Sequence, residues 1–218
     1  MAVNDGSTTR VAFVSGDRLA GWVERFSTAH GTPVLTDVDG GLQLGAPDGA
    51  VALLQPPWPA DGRPGRGSDV LARLISLAGQ PRCIGAVLVR RGGYSVAVIR
   101  DGEILASKTG TGRIQGRPST GGSSQQRMAR RRANQADALA GVVAEHAARI
   151  FADHRVEYVA PGGDRPLLEL VLAEPALKRY AALARLRFLD VPDPKAAALK
   201  TAAAQACAVR ILVTDPLP

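Results

Sequence analysis

Apolar positions along this chain fall into two periods, one near 3.6 residues and one of 2, separated by glycine- and proline-rich breaks. Residues 11–14 are a short apolar run. Leu19, Trp22, Val23 and Phe26 then share one helical face, entered through Ser15-Gly16-Asp17 and ended at Gly31. Runs at 41–44 and 51–54 flank Gly45-Ala46-Pro47-Asp48-Gly49 and predict a β-hairpin. From Gln55 the chain turns to Pro and Gly, which can continue neither a helix nor a central strand. The expected division is a small α/β module over 1–60, a linker over 61–67 and a main domain over 68–218.

The main domain opens with a helix that Ser68 can cap, carrying Leu71, Leu74, Ile75 and Leu77 and ending near Gly79. Extended segments at 84–90, 94–100 and 103–109 follow, joined by Arg91-Gly92-Gly93 and Arg100-Asp101-Gly102. They read as an antiparallel meander. A long helix is predicted over 125–151, with Ala136, Leu139, Val143, Ala147 and Ile150 as its apolar stripe. Strands at 156–159, 186–189 and 208–213 then alternate with helices at 165–172 and 195–206. Such an order implies an α/β protein with a mixed sheet covered on both faces, in the RNase H-like style, beside the small N-terminal appendage.

Charge changes the picture at one place. Between Glu103 and Asp137 there is no acidic residue, but there are Lys108, Arg113, Arg117, Arg127, Arg130, Arg131 and Arg132. Those cations equal the formal net charge of +7, and the other 20 basic residues balance the 20 acidic ones. The same stretch holds Gly110, Gly112, Gly116, Pro118, Gly121 and Gly122, then Ser123, Ser124, Gln125 and Gln126. A glycine-rich cationic loop (108–126) running into an arginine-studded helix suits a polyanion. Adjacent glycines let the backbone approach a ligand closely. Arginines at a helix start oppose its macrodipole, and a bound phosphate removes that conflict.

Composition narrows the alternatives. Aromatics make up 4% of the chain, too few for a broad base-stacking platform. Cys83 and Cys207 form no CxxC pair, so zinc is not expected and reduced thiols are. No apolar run is long enough for a membrane span and residues 1–10 hold no secretory core, so a cytoplasmic location is expected. Metal-dependent cleavage would need converging carboxylates, whereas the meander offers only Asp101 and Glu103 at a turn. A Ser/His/Asp triad would have to recruit His30, His146 or His154, where solvated or capping roles are commoner. Gly110-Thr111-Gly112 opens no helix, and no Walker A lysine exists. Neither a metal nor a cofactor is expected.

The strand–Arg91-Gly92-Gly93–strand unit followed by Lys108 through Gln126 resembles the Vms-like release factors. These are relatives of the catalytic middle domain of eukaryotic and archaeal class-one peptide release factors. The resemblance runs from about Ile84 to Asp215. It implies an RNase H-like fold and a peptidyl-tRNA hydrolase acting on ribosome-bound stalled nascent chains. By motif position Gly121, Gly122 and Ser123 match the family loop, and its glutamine falls on Gln125 or Gln126. Ser124 makes the spacing one residue longer than Gly-Gly-Ser-Gln, so the choice between the two stays open and loss of catalysis is permitted. The implied partners are the large ribosomal subunit, rRNA and peptidyl-tRNA, met by a monomer. Lys108 and the arginines at 113, 117, 127, 130, 131 and 132 would hold phosphates. The rival functions are a non-catalytic ribosome- or RNA-binding factor and a metal-free scission of the tRNA 3′ end.

Overall fold

The computed structural model describes residues 9–112 and 124–216. Its chain divides into two compact units, Met1–Gln80 with Cys207–Pro218, and Pro81–Ala206.

The first unit is built on β1 (Thr9–Val14), β2 (Val34–Val38), β3 (Gly41–Gly45) and β4 (Val51–Gln55), with α1 (Leu19–His30) and α2 (Val70–Ala78). The hairpin expected at 41–54 is β3 and β4, paired antiparallel. The final strand, β9 (Val209–Thr214), lies between β1 and β4, antiparallel to both. Its alternation explains why: Val209, Ile211 and Val213 are buried and the residues between them half-buried, which fits a half-covered antiparallel sheet. This corrects the expectation that the chain end completes the mixed sheet. Leu19, Val23 and Phe26 of α1 and Leu74 and Ala78 of α2 form a core with Leu42, Leu44, Leu54 and Ile211. The helix at 70–78 is capped by Asp69, whose carboxylate accepts the Ala72 N–H at 2.8 Å, while the Ser68 hydroxyl donates to Asp69 at 3.2 Å. The Pro/Gly stretch lies along this helix. A Cβ on Gly67 would come within 2.5 Å of the Ala72 Cβ, and the Arg66 N–H donates to Ser76 Oγ at 3.0 Å. The compact units therefore divide at Gln80 rather than over 61–67, and α2 goes with the N-terminal part.

The second unit holds β5 (Cys83–Arg90), β6 (Gly93–Arg100), β7 (Glu103–Thr111) and β8 (Tyr158–Gly163), in the order β7-β6-β5-β8. The meander β5-β6-β7 is antiparallel, and β8 is parallel to β5. This is the expected mixed sheet. Between β7 and β8 runs α3 (Ser124–Ala152), and α4 (Arg165–Ala173), α5 (Lys178–Ala181) and α6 (Ala196–Ala206) follow. Val87, Val89, Val96 and Val98 on one sheet face pack against Leu139, Val143, Ala147 and Phe151 of α3 and Leu168 and Val171 of α4. Interior β5 and β6 are buried along nearly their whole length, as near-continuous apolar runs require.

The strand expected over 186–189 is reduced to two parallel bridges to β8, Val159–Arg185 and Gly162–Leu189. The second side of that pairing advances one residue more than the first between the bridges. The two bridges are therefore out of step, and no continuous ladder forms between them.

Candidate functional site at the start of the long helix

The first and last parts of α3 have different surroundings. None of residues 126–138 is buried, and the buried stripe begins at Leu139. At 1.5 Å per residue this leaves about 20 Å of helix with little packing beneath it. Gln126, Arg127, Arg130 and Arg131 on this arm are exposed, and Arg132 is half-buried. Its first turn contains no acidic residue. Among the described residues, none of these arginines pairs with a carboxylate. Two carboxylates elsewhere in the second unit pair with other cations: Asp190 with Arg90 at 3.2 Å, and Glu169 with Arg185 at 2.6 Å.

Lys108 lies on β7, opposite Val96, so it projects from the sheet face that α3 covers, and it is exposed. The backbone of Ser124 and Gln125 is helical, at the opening of α3. Gly121, Gly122, Ser123, Arg113 and Arg117 lie outside the described residues. The described part thus gathers four arginines and Gln126 on one exposed stretch of helix.

The Arg91-Gly92-Gly93 turn sits at the end of the sheet where β7 leaves it. Gly93 is in register with Thr111, and the Gly92 carbonyl accepts the Gly112 N–H at 3.1 Å. A Cβ on Gly93 would meet the Gly110 carbonyl oxygen at 2.8 Å. One on Gly110 would lie 2.5 Å from Tyr94 Cε1 and Oη, and one on Gly112 would lie 2.6 Å from Leu139 Cδ2. Arg91, exposed, approaches Asp164 at 3.8 Å, and Asp164 also caps α4 by accepting the Leu167 N–H at 3.1 Å.

Beside this corner His146 packs its ring 5.8 Å from that of Tyr94. Its Nδ1 is buried with no hydrogen-bond partner among the described residues. Burial lowers its pKa, and the positive charges of Arg149 and Lys108 lower it further, against the opposing pull of Glu145. A histidine held neutral is no phosphate clamp, and nothing in the described residues offers it the aspartate of a triad. Asp101 and Glu103, both exposed, stay at the β6–β7 turn. Among the described residues no three metal-ligating side chains converge. No helix among them is long and apolar enough to cross a membrane.

A family model for acVLRF1, the Actinobacteria/chloroflexi VLRF1 release factor, matches residues 82–212. The chain belongs to this family. The acVLRF1 match begins beside the first strand of the mixed sheet and runs into β9, so it takes in the meander, the basic loop and the whole of α3. No curated protein matches the chain. Tyr94 and Leu139, which meet Gly110 and Gly112 of the expected loop at its base, are not among the expected site residues. The Arg91-Gly92-Gly93 motif was a signal for them, but its hydrogen bond to Gly112 joins residues twenty apart and has no local periodicity.

Proposed function

We propose that this acVLRF1 protein hydrolyses the ester between nascent peptide and tRNA on ribosomes carrying stalled chains. Supporting this reading is the exposed arm of α3, whose arginines are unpaired among the described residues and which opens at Ser124-Gln125-Gln126, directly after Gly121-Gly122-Ser123 in the sequence, in a chain of the release-factor family. The arginines and Lys108 grip tRNA and rRNA phosphates of the large subunit, while the glycines allow the loop into a confined cavity. The ester is already activated. Its hydrolysis needs a positioned water and stabilisation of the oxyanion more than a strong base. The amide of Gln125 or Gln126 positions that water. Water oxygen bonds to the acyl carbon, the bond to the ribose 3′ oxygen breaks, and the water's proton ends on that departing oxygen. The protein acts in the cytoplasm, as a monomer.

The extra residue Ser124 favours one second reading, a ribosome-binding factor that no longer catalyses release. A turnover assay on ribosomes loaded with peptidyl-tRNA separates the two. Wild type is expected to free the peptide and leave the tRNA with its terminal CCA. Gln125→Ala combined with Gln126→Ala is expected to lower release about a hundredfold or more, the usual loss for one positioned transition-state group, with ribosome co-sedimentation retained. Binding without release by wild type would favour the second reading. A shortened tRNA would mean scission of the nucleic acid instead.

A further inference from the structure

The motif pair that marks this chain consists of two segments about twenty residues apart, and the fold brings them together. We infer that the Arg91-Gly92-Gly93 turn, with Tyr94 and Leu139, is a clamp that positions the catalytic loop. The loop's departure is fixed at three successive points. Gly110 fits only because it presents no side chain to the Tyr94 ring, which is 4% exposed and cannot swing out without leaving the core. Thr111 is held in register by Gly93. Gly112 donates to the Gly92 carbonyl at 3.1 Å and rests against Leu139, where the buried part of α3 begins.

The Gly93 position closes the arrangement from the other side, since a side chain there would strike the Gly110 carbonyl. Glycines at 93, 110 and 112 thus serve close approach, not flexibility. None of the three has the left-handed backbone that glycine alone accepts readily. Tyr94 and Leu139 are buried in the core, so they act on Gln125 and Gln126 through the chain, as positioning residues. This rests on the release reading above. Placement errors of about 1 Å cost about a hundredfold in rate for groups that must orient a reactant, so the clamp shows in the chemical step more than in binding.

The test uses the full chain. Gly110→Ala puts a methyl group into the Tyr94 ring, and Tyr94→Leu in the same chain makes room for it. Each protein is tested for peptide release from loaded ribosomes. A second, spin-labelled set of the same proteins measures the loop's distance from the core. In that set Ser123→Cys and Glu169→Cys on α4 carry the labels, and Cys83→Ser with Cys207→Ala removes the native thiols. Gly110→Ala is expected to lower kcat about a hundredfold with KM within about twofold, and to shift or broaden the label distance. The double variant is expected to recover most of both. An unchanged distance and rate in Gly110→Ala would overturn the clamp. So would failure of Tyr94→Leu to restore a displaced loop, provided both proteins melt cooperatively. Should wild type release no peptide, the function proposed above fails while the label distances still decide whether the clamp exists.

Discussion

His146 would have to take up a proton beside Lys108 on β7 and Arg149 on its own helix, with the Tyr94 ring against it and only Glu145 in its favour. The unfolded chain binds that proton near pH 6.5, whereas the folded protein resists it until lower pH. Stability therefore falls as pH drops below about 6.5, because the unfolded state then binds more protons. His146→Gln is expected to flatten that slope, as measured by melting temperature at about pH 7.5 and about pH 5.5. A variant with the wild-type slope would show that this ring does not carry the effect. From sequence His146 reads as a helical residue with a solvated or capping role, because nothing nearby in the chain announces Tyr94, some fifty residues earlier. Glycine roles were half legible for the same reason. Gly110 and Gly112 stood out as unusual, but the side chains they make room for come from another strand and another helix.

At the scale of elements, the long helix was the most legible part of the chain. Its expected span of 125–151 is Ser124–Ala152, and Leu139, Val143 and Ala147 are buried as the stripe predicts. What periodicity could not reveal is that burial starts only at Leu139, since Ala136 fits the stripe as well and is only partly covered. The arm gains little from the core beyond Ala136, and its arginines oppose the helix dipole, a conflict that the phosphates of the function proposed above would remove. Replacing Arg127, Arg130 and Arg131 with alanine is expected to weaken ribosome or tRNA binding and to flatten its salt dependence. The log–log slope should fall by about 0.7–0.9 for each phosphate no longer neutralised. An unchanged slope would mean the arm does not meet phosphates. The strand expected over 186–189 depends on a non-local partner: the segment is apolar enough, but its two bridges to β8 differ in spacing by one residue.

For the whole molecule, the order of elements was read well and their partnership less so. The last strand looked like a final member of the mixed sheet, and its placement between β1 and β4 turns on pairing across as many as 205 residues, which no window of sequence contains. Ile211 is fully buried there, opposite Ala12 and Leu54. Ile211→Ala should cost about 2–5 kcal/mol. Both tryptophans, Trp22 and Trp58, lie in the first unit, so urea unfolding followed by their fluorescence reads this loss directly. A midpoint unchanged from wild type would show that β9 is not needed to hold that unit.

The place of β9 also fixes an order of events as the chain is made. Domains usually complete themselves from the N-terminus onward during synthesis. Here every residue of Pro81–Ala206 has been translated before the strand that joins Thr9–Val14 to Val51–Gln55 exists. Until then the five-stranded sheet is two unconnected pieces, one of them a lone strand. β1 therefore waits for this partner until the whole of the second unit has been translated.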